Sequence, residues 1–577
     1  MKFSSPWVQS VLIVVVLLLL GVGCDRSPGR ENSASAKAPA PPAQGWFEDV
    51  TAASGVRFVH AAGTNYHMPD QVGSGVAVLD FDRDGRWDIY FVQNGGSGGK
   101  GGAARNQLFH QRADGSFENA SARSGADLVG AGMGVAAGDL NNDGWTDLVV
   151  TENGAVRVLL NRNGRFEEVG KSSGVENPRW CVPASFVDFD RDGWLDIVVG
   201  NYLDYDRTQV CLDAQGRRDF CAPSAFAGTS LRLWRNVTGT PGGMPRFEDV
   251  TGRSGLSRST GAAMGLVCAD LTGDGWPDIF VADDGRPNRL LVNQRDGTFT
   301  DEAMVRGVAF NAMGRTAANM GLAWGDFNND GRMDLFVTHL AEEFHSLFQQ
   351  DRPGFFSDQI ASSGFQQQSW RGTGFGVVAA DFDLDGDLDV AWVNGLVRRA
   401  SPGQTPTDPG LDPWWARYAQ RAQLFENLGS GRLRDVSAFN VGFTGLAMVG
   451  RGLAMADLNS DGAPDLIAAP IGGPAHVYRN RMSGNGRWIT LRLLEPNFGG
   501  RDAIGAEVVV FAGGRRWTGL LQPSTSYASS HAPVVSFGLG KVDRIDSIEV
   551  LWVGGVKEQF PGGGVDRVLE LKRGAGR

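Results

Sequence analysis

Asp80, Asp82, Asp84 and Asp88 occupy positions 1, 3, 5 and 9 of one short stretch, with Gly85 at position 6. Alternating acids closed by a glycine supply oxygen ligands for a hard divalent cation. Calcium takes six to eight oxygens in irregular geometry, so these four side chains and the backbone carbonyl of Arg86 at position 7 suit it. Glycine supplies the backbone freedom to wrap the loop. The pattern returns six times: Asp139, Asn141, Asp143, Trp145, Asp147; Asp188, Asp190, Asp192, Trp194, Asp196; Asp270, Thr272, Asp274, Trp276, Asp278; Asp326, Asn328, Asp330, Arg332, Asp334; Asp381, Asp383, Asp385, Asp387, Asp389; and Asp457, Asn459, Asp461, Ala463, Asp465. Gly144, Gly193, Gly275, Gly331, Gly386 and Gly462 keep the sixth position. About seven Ca²⁺ ions are expected.

An EF-hand loop carries a bidentate Glu at position 12 between two helices. Position 12 here is Phe91, Val150, Val199, Val281, Val337, Trp392 or Ala468, and the flanks, such as Leu195–Val199, read as strands. Each loop therefore joins two strands. An apolar run ending near Asn follows, as in Leu159–Asn161 and Val477–Asn480, and then a strand like Phe247–Thr251 with a Ser-Gly turn. The last of these strands is displaced. Phe47–Thr51 precedes the first loop, whereas the final repeat stops at Asn480 without one. A first strand that completes a last blade closes a β-propeller. The expected fold is an all-β, seven-bladed propeller over 46–482. Each loop follows a strand of small residues, such as Gly73–Ala77 and Gly132–Ala136, which suits crowding about the axis.

Insertions at Asn201–Gly228 and Leu396–Gln423 lengthen the third and sixth repeats. They carry Tyr202, Tyr205, Trp414, Trp415 and Tyr418, which either present a binding surface or pack the insertion onto its own blade. Past Asn480 the loops stop. Strand candidates at Ile489–Leu494, Ala506–Ala512, Trp517–Leu521, Val534–Leu539, Ile548–Trp552 and Val568–Leu571 give a small sandwich-like β domain over 483–577, read as a separate interaction module that binds no calcium.

The formal charge is −11. Removing residues 1–23, which carry one lysine, leaves −12, and seven divalent ions would bring this to +2. The acidity is thus ligation rather than a polyanionic surface, and nothing points to nucleic acid. Val11–Leu20 is an apolar run too short for a membrane span, and with Lys2 it reads as an export signal over 1–23. Gly21-Val22-Gly23-Cys24 is similar to a bacterial lipobox, which implies lipidation of Cys24. The Pro-, Ala- and Ser-rich stretch to residue 45 is a flexible tether. The chain is then an exported, membrane-anchored lipoprotein facing the periplasm or cell exterior. Export permits disulfides. Cys211 and Cys221, ten apart in one insertion, are the expected pair, and Cys181 and Cys268 are read as buried thiols.

The loops and their strands resemble the FG-GAP/VCBS repeats over residues 46–482. Asn497–Ala506, Gly513-Gly514, Ser526–Ser530, Phe537–Gly540 and Val550–Trp552 resemble the ASPIC/UnbV domain. The whole arrangement, including Asn201–Asp204 and Cys221–Pro223, is similar to the cartilage acidic protein (CRTAC1-like) family. That resemblance implies extracytoplasmic calcium binding and interaction, and supplies no reaction.

Catalytic motifs are sparse. The histidines (His60, His67, His110, His339, His345, His476, His531) form no His-Glu-x-x-His, and no Cys-x-x-Cys occurs. Gly170-Lys171-Ser172-Ser173-Gly174 matches Gly-x-Ser-x-Gly only as the turn its sister repeats share. His67 with Asp70 is placed near the channel mouth. The reading favoured is a calcium-binding propeller that adheres to a protein or glycan. The alternative is a carbohydrate lyase or hydrolase on the same scaffold, which would need acid and base groups converging in one cleft.

Overall fold

The computed structural model describes residues 45–95, 104–368, 370–399 and 406–577. The export signal, Cys24 and most of the tether lie outside them. The described residues belong to one compact unit, Pro42–Arg577.

β-Branched and aromatic runs bounded by Gly and Asp pair here as short antiparallel meanders. Among the described residues, seven sheets share one path of four strands. The first runs Val76–Leu79, Asp88–Phe91, Gln107–Gln111 and Phe117–Asn119; the third runs Cys181–Val187, Asp196–Asn201, Arg232–Asn236 and Phe247–Asp249. The innermost strand of each sheet touches that of the next, and Gly450–Ala456 of the last touches Val76–Leu79 of the first. The ring is a closed β-propeller.

Closure uses the displaced first strand. Phe47–Asp49 pairs with His476–Asn480, matching Phe47 to Asn480, just as Phe247 is matched to Asn236 and Phe299 to Asn293. A histidine reinforces the seam. His476 Nδ1 lies 2.9 Å from Asp49 Oδ2 on the closing strand, and Nε2 lies 3.0 Å from Asp408 Oδ2 on the sixth-sheet insertion. One imidazolium thus ties together the first strand, the last sheet and an insertion.

The C-terminal residues form two sheets around one apolar core. Arg487–Glu495 lies between Val535–Gly540 and Arg567–Lys572, and Glu507–Ala512 lies between Arg515–Leu520 and Arg544–Leu551. Ile489, Val508, Ile548 and Trp552 fill the space between them. Lys557–Gly564 adds a strand that its Pro-Gly-Gly-Gly run does not announce; pairing with Arg544–Leu551 overrides the local signal.

The C-terminal domain has its own core and also reaches into the ring. Residues 521–534 leave the C-terminal sheets and enter the ring along its axis. Ser526 exchanges backbone bonds with Leu322 (2.7 and 3.0 Å), and Ser530 does so with Val76 and Val78 (2.9 Å each). Val135 N donates to Ala528 O, Val377 N to Ser526 Oγ, Ser526 Oγ to Leu453 O, and Gln522 Nε2 to Cys268 O and Phe186 O. Those partners lie on the innermost strands of all seven sheets. Ser526 and Ala528 sit at left-handed φ of 69° and 52°, which lets so short a segment face in every direction. Tyr527 is wholly buried, donates to Val72 O (3.0 Å) and meets Phe375 edge-on at 5.0 Å. The small inner-strand residues make room for this plug: a Cβ on Gly75 would come within 2.3 Å of Ala528 O.

The two insertions leave from the opposite ends of their sheets to the acidic loops, and they meet. Tyr418 donates to Asp219 Oδ1 (2.8 Å), Arg399 N donates to Asp219 Oδ2 (2.8 Å), and Phe220 stacks on Trp415 at 5.8 Å. Tyr202, Trp415 and Tyr418 are buried, so these aromatics pack the insertions in place. Cys211 and Cys221 form a disulfide within the first insertion, and Cys181 and Cys268 are buried thiols.

The seam carries a pH dependence. Burial alone lowers the His476 pKa, but Asp408 and Asp49 outweigh it and lift the group to about 9. A folded pKa above the unfolded value of 6.5 stabilises fully below about pH 6.5, and the contribution fades as pH rises through 9. His476→Gln is expected to cost about 2 kcal/mol at pH 6 and much less at pH 9.5, checked by urea unfolding at both values.

Candidate metal centres

Every acidic loop joins the first and second strands of its sheet and is built on five backbone-to-carboxylate bonds. In the first, Asp84 N and Gly85 N donate to the two oxygens of Asp80 (3.0 Å each), and Arg86 N donates to Asp84 Oδ1 (3.0 Å). Phe81 N donates to Asp88 Oδ2 (3.1 Å), and Gln111 N from the third strand donates to Asp88 Oδ1 (2.8 Å). The same five recur in the second and third loops. They recur again in the fourth and fifth and in the sixth and seventh. The position 1 aspartate therefore shapes the turn, and the position 9 aspartate fastens it to the sheet.

The position 6 glycines have φ from 81° to 99°, and position 4 is left-handed as well. Arg83, Asn142, Arg191, Asn329, Leu384 and Ser460 hold φ between 56° and 61° there, and Gly273 holds 73°. Sequence reading missed position 4 because its residue types share nothing. The turn imposes the conformation, and the bonds to position 1 sustain it.

Oxygens remain for a cation. A carboxylate oxygen that accepts one N–H keeps a second lone pair. Asp82 Oδ1, Asn141 Oδ1 and Asp190 Oδ1, all at position 3, are buried with no hydrogen-bond partner. Asn141 is wholly buried, and an orphaned acceptor there is costly unless something binds it. Asp80, Asp82 and Asp84 bring oxygens within 4.8 Å of one another, as do Asp188, Asp190 and Asp196, and Asp381, Asp383 and Asp385. In the second, fourth, fifth and seventh loops Asn141, Thr272, Asn328 and Asn459 make position 3 neutral. Burial raises Asp88 and Asp334 to about 8 and Asp188 and Asp278 to about 7; neighbouring carboxylates add to this, and backbone N–H groups oppose it. Such crowding is relieved by a divalent cation, so the donor set fits calcium. The residues that would hold it are positions 1, 3, 5 and 9 and the carbonyl of position 7.

One ligand candidate escaped the sequence reading. His110 Nδ1 lies 3.1 Å from Asp88 Oδ1 and 3.5 Å from Asp82 Oδ2, so an imidazole from the third strand faces the first loop. His339 and His345 are buried: His339 Nε2 contacts Asn319 Oδ1 (2.9 Å), and His345 Nδ1 accepts from His339 N (3.0 Å). Asp70 is wholly buried in the turn Met68–Gln71 that follows His67. Gly170–Ser173 is a single helical turn like Ser121–Ser124 and Ala303–Arg306 in sister repeats, which accounts for its Gly-x-Ser-x-Gly spacing.

The Asn at the end of five of the seven third strands proves to be a clasp. Asn161 Nδ2 donates to Thr146 O of its own loop (3.1 Å) and to Phe81 O of the preceding one (2.8 Å). Asn236, Asn293, Asn427 and Asn480 do the same to Leu140, Phe189, Phe327 and Phe382. Gln111 reaches Leu458 in the last repeat, carrying the chain of clasps across the closing seam. Each Asn amide thus locks two neighbouring loops, whereas Gln350 of the fifth sheet donates to Met333 O of its own loop (2.9 Å).

Residues 80–150, 139–199 and 270–337 match the FG-GAP-like repeat, and residues 497–577 match ASPIC and UnbV. The chain carries FG-GAP-like repeats and a C-terminal ASPIC and UnbV domain. Cartilage acidic protein 1 of Homo sapiens is 27% identical over 532 residues, covering 87% of this chain and 72% of that one. The protein of the same name from Xenopus tropicalis is 26% identical over 518 residues, covering 84% and 71%. Among solved structures, an Agrocybe aegerita lectin that recognises non-reducing terminal N-acetylglucosamine aligns over 71% of this chain and 95% of its own, at 15% identity and a TM-score of 0.37.

Asn236→Leu removes a clasp and leaves the carbonyls of Leu140 and Leu195 buried without their donor. A loss of about 2–3 kcal/mol is expected in chemical unfolding, against a change within about 0.5 kcal/mol for a substitution at exposed Gln215.

Proposed function

We propose that this chain is an exported, membrane-tethered calcium-binding propeller that acts as a protein- or glycan-binding module. The observation that carries the reading is the sevenfold recurrence of one carboxylate loop, with buried position 3 oxygens lacking partners in four copies, Thr272 Oγ1 of the fourth loop included. In this role calcium holds the loops rigid and does no chemistry. A cation that binds the folded state alone stabilises it by mass action.

The C-terminal domain packs over the acidic loops. Trp517 Nε1 donates to Gly386 O (3.0 Å), Arg516 Nη2 donates to Asp330 O, and a Cβ on Gly193 would strike the Phe498 ring at 2.3 Å. The insertions form the other face, and there the proposed ligand docks. Tyr66 and Trp414, both half-buried, lie 5.1 Å apart, with Arg218 and Arg399 over Tyr66 and Arg417 over Trp414. A rigid aromatic pair ringed by guanidinium groups suits a sugar face or an acidic peptide. Export through residues 1–23 and lipidation of Cys24 would hold the folded body off a membrane surface. No helix among the described residues is long and apolar enough to cross one.

Two measurements test the reading. EGTA should lower the melting temperature and excess CaCl₂ should restore it; an identical melting curve in EGTA would remove calcium from the account. On glycan and peptide arrays, ligands bound by the purified chain should be lost with Trp414→Ala at unchanged melting temperature. Binding that ignores this substitution would move the ligand off the insertion face.

A further inference from the structure

The acidic loops share one frame but differ in what stands beside them. The residue just before each third-strand clasp changes in type from sheet to sheet. At the third loop it is Arg235, whose Nε donates to Asp190 Oδ2 and whose Nη2 donates to Asp192 Oδ2 at 2.7 Å. Those carboxylates are positions 3 and 5, so one guanidinium spans two oxygens that a cation would need. At the sixth loop the same place holds Glu426, buried one residue before Asn427, whose N donates to Asp389 Oδ1 of that loop at 2.8 Å. Arg434 Nε donates to Glu426 Oε2 at 2.8 Å. The sixth loop is also acidic at position 7, where Asp387 lies 3.8 Å from Arg515. At the second and fourth loops the place is filled by buried Leu160 and Val292, which add no charge.

Calcium affinity in oxygen sites follows the ligand charge count and the rigidity of the cage. The third loop carries four aspartates with a built-in cation bridging two of them, while the sixth carries five aspartates with a glutamate alongside. We propose that this third-strand residue ranks the loops: Glu426 makes the sixth loop the tightest calcium site of the ring, and Arg235 holds the place of the ion at the third, leaving that loop weak. The inference rests on the calcium reading above and goes beyond it, because it makes the sites unequal and names the residues responsible. It also gives the third loop a way to stay folded when calcium is scarce, since its carboxylates are already neutralised in part from within.

The test is calorimetric titration of the chelator-stripped full chain with CaCl₂, with near-UV circular dichroism to establish that each variant is folded. Arg235→Leu, which places the residue of the second sheet in the third, should strengthen one weak site about tenfold. Glu426→Gln should weaken the tightest site by about the same factor. Arg235→Lys keeps the charge but cannot span both carboxylates, and should fall between wild type and Arg235→Leu. Isotherms for Arg235→Leu and Arg235→Lys that superimpose on wild type, or a tightest site unmoved by Glu426→Gln, would overturn the ranking. A wild-type chain that takes up no calcium would instead overturn the calcium reading itself.

Discussion

A buried carboxylate at the ninth position of each acidic loop is the interaction on which the ring depends. Asp88, Asp147, Asp196, Asp278, Asp334, Asp389 and Asp465 are all wholly buried. Each accepts one backbone N–H from its own loop and one from the third strand of its sheet. Removing charge from water is expensive unless hydrogen bonds or a counter-ion compensate. The backbone supplies the first, and the surrounding oxygens form a cage for the second. Loop, sheet and proposed metal site are therefore one device: the geometry that satisfies the carboxylate also gathers its neighbours.

Third-strand amides wire these devices to each other at six of the seven junctions, the closing seam included. At the centre, the segment around Tyr527 bonds to every innermost strand. A ring of sheets alone would leave small residues lining an open axis. Here that axis is filled with hydrogen-bonded backbone, and the insertions of the third and sixth sheets cover its far end. Both the rim and the hub of the ring are thus held by polar bonds, with apolar cores confined between adjacent sheets.

Much of this was legible in the sequence because the loop is a local motif whose spacing survives repetition. The strands beside it, the displaced Phe47–Thr51 and the glycine at position 6 could all be read from residue types. The amide clasp was visible as a recurrent Asn but not as a function, since its partners lie in a different repeat. His110 and Arg235 were invisible for a different reason: a strand residue and the loop of its own repeat, about 25 or 45 positions earlier, meet only after folding. The small inner-strand residues were traced to the crowding of inner strands, which holds, since a Cβ on Gly134 would meet Val182 O at 2.5 Å; the plug, from some 450 residues farther along, adds to it. Ser526–Ser530 was recognised as part of a domain signature, yet nothing in its composition says that it leaves that domain.

The displaced first strand also sets the order in which the molecule can be finished. Glu48 and Arg481, neighbours in the closed ring, are 433 residues apart in the chain. A polypeptide that emerges amino end first must keep Phe47–Asp49 without a partner until the last repeat has appeared, and the plug follows later still. The ring cannot mature sheet by sheet as it is made. It is sealed in a single late event, with both ends of the chain in hand.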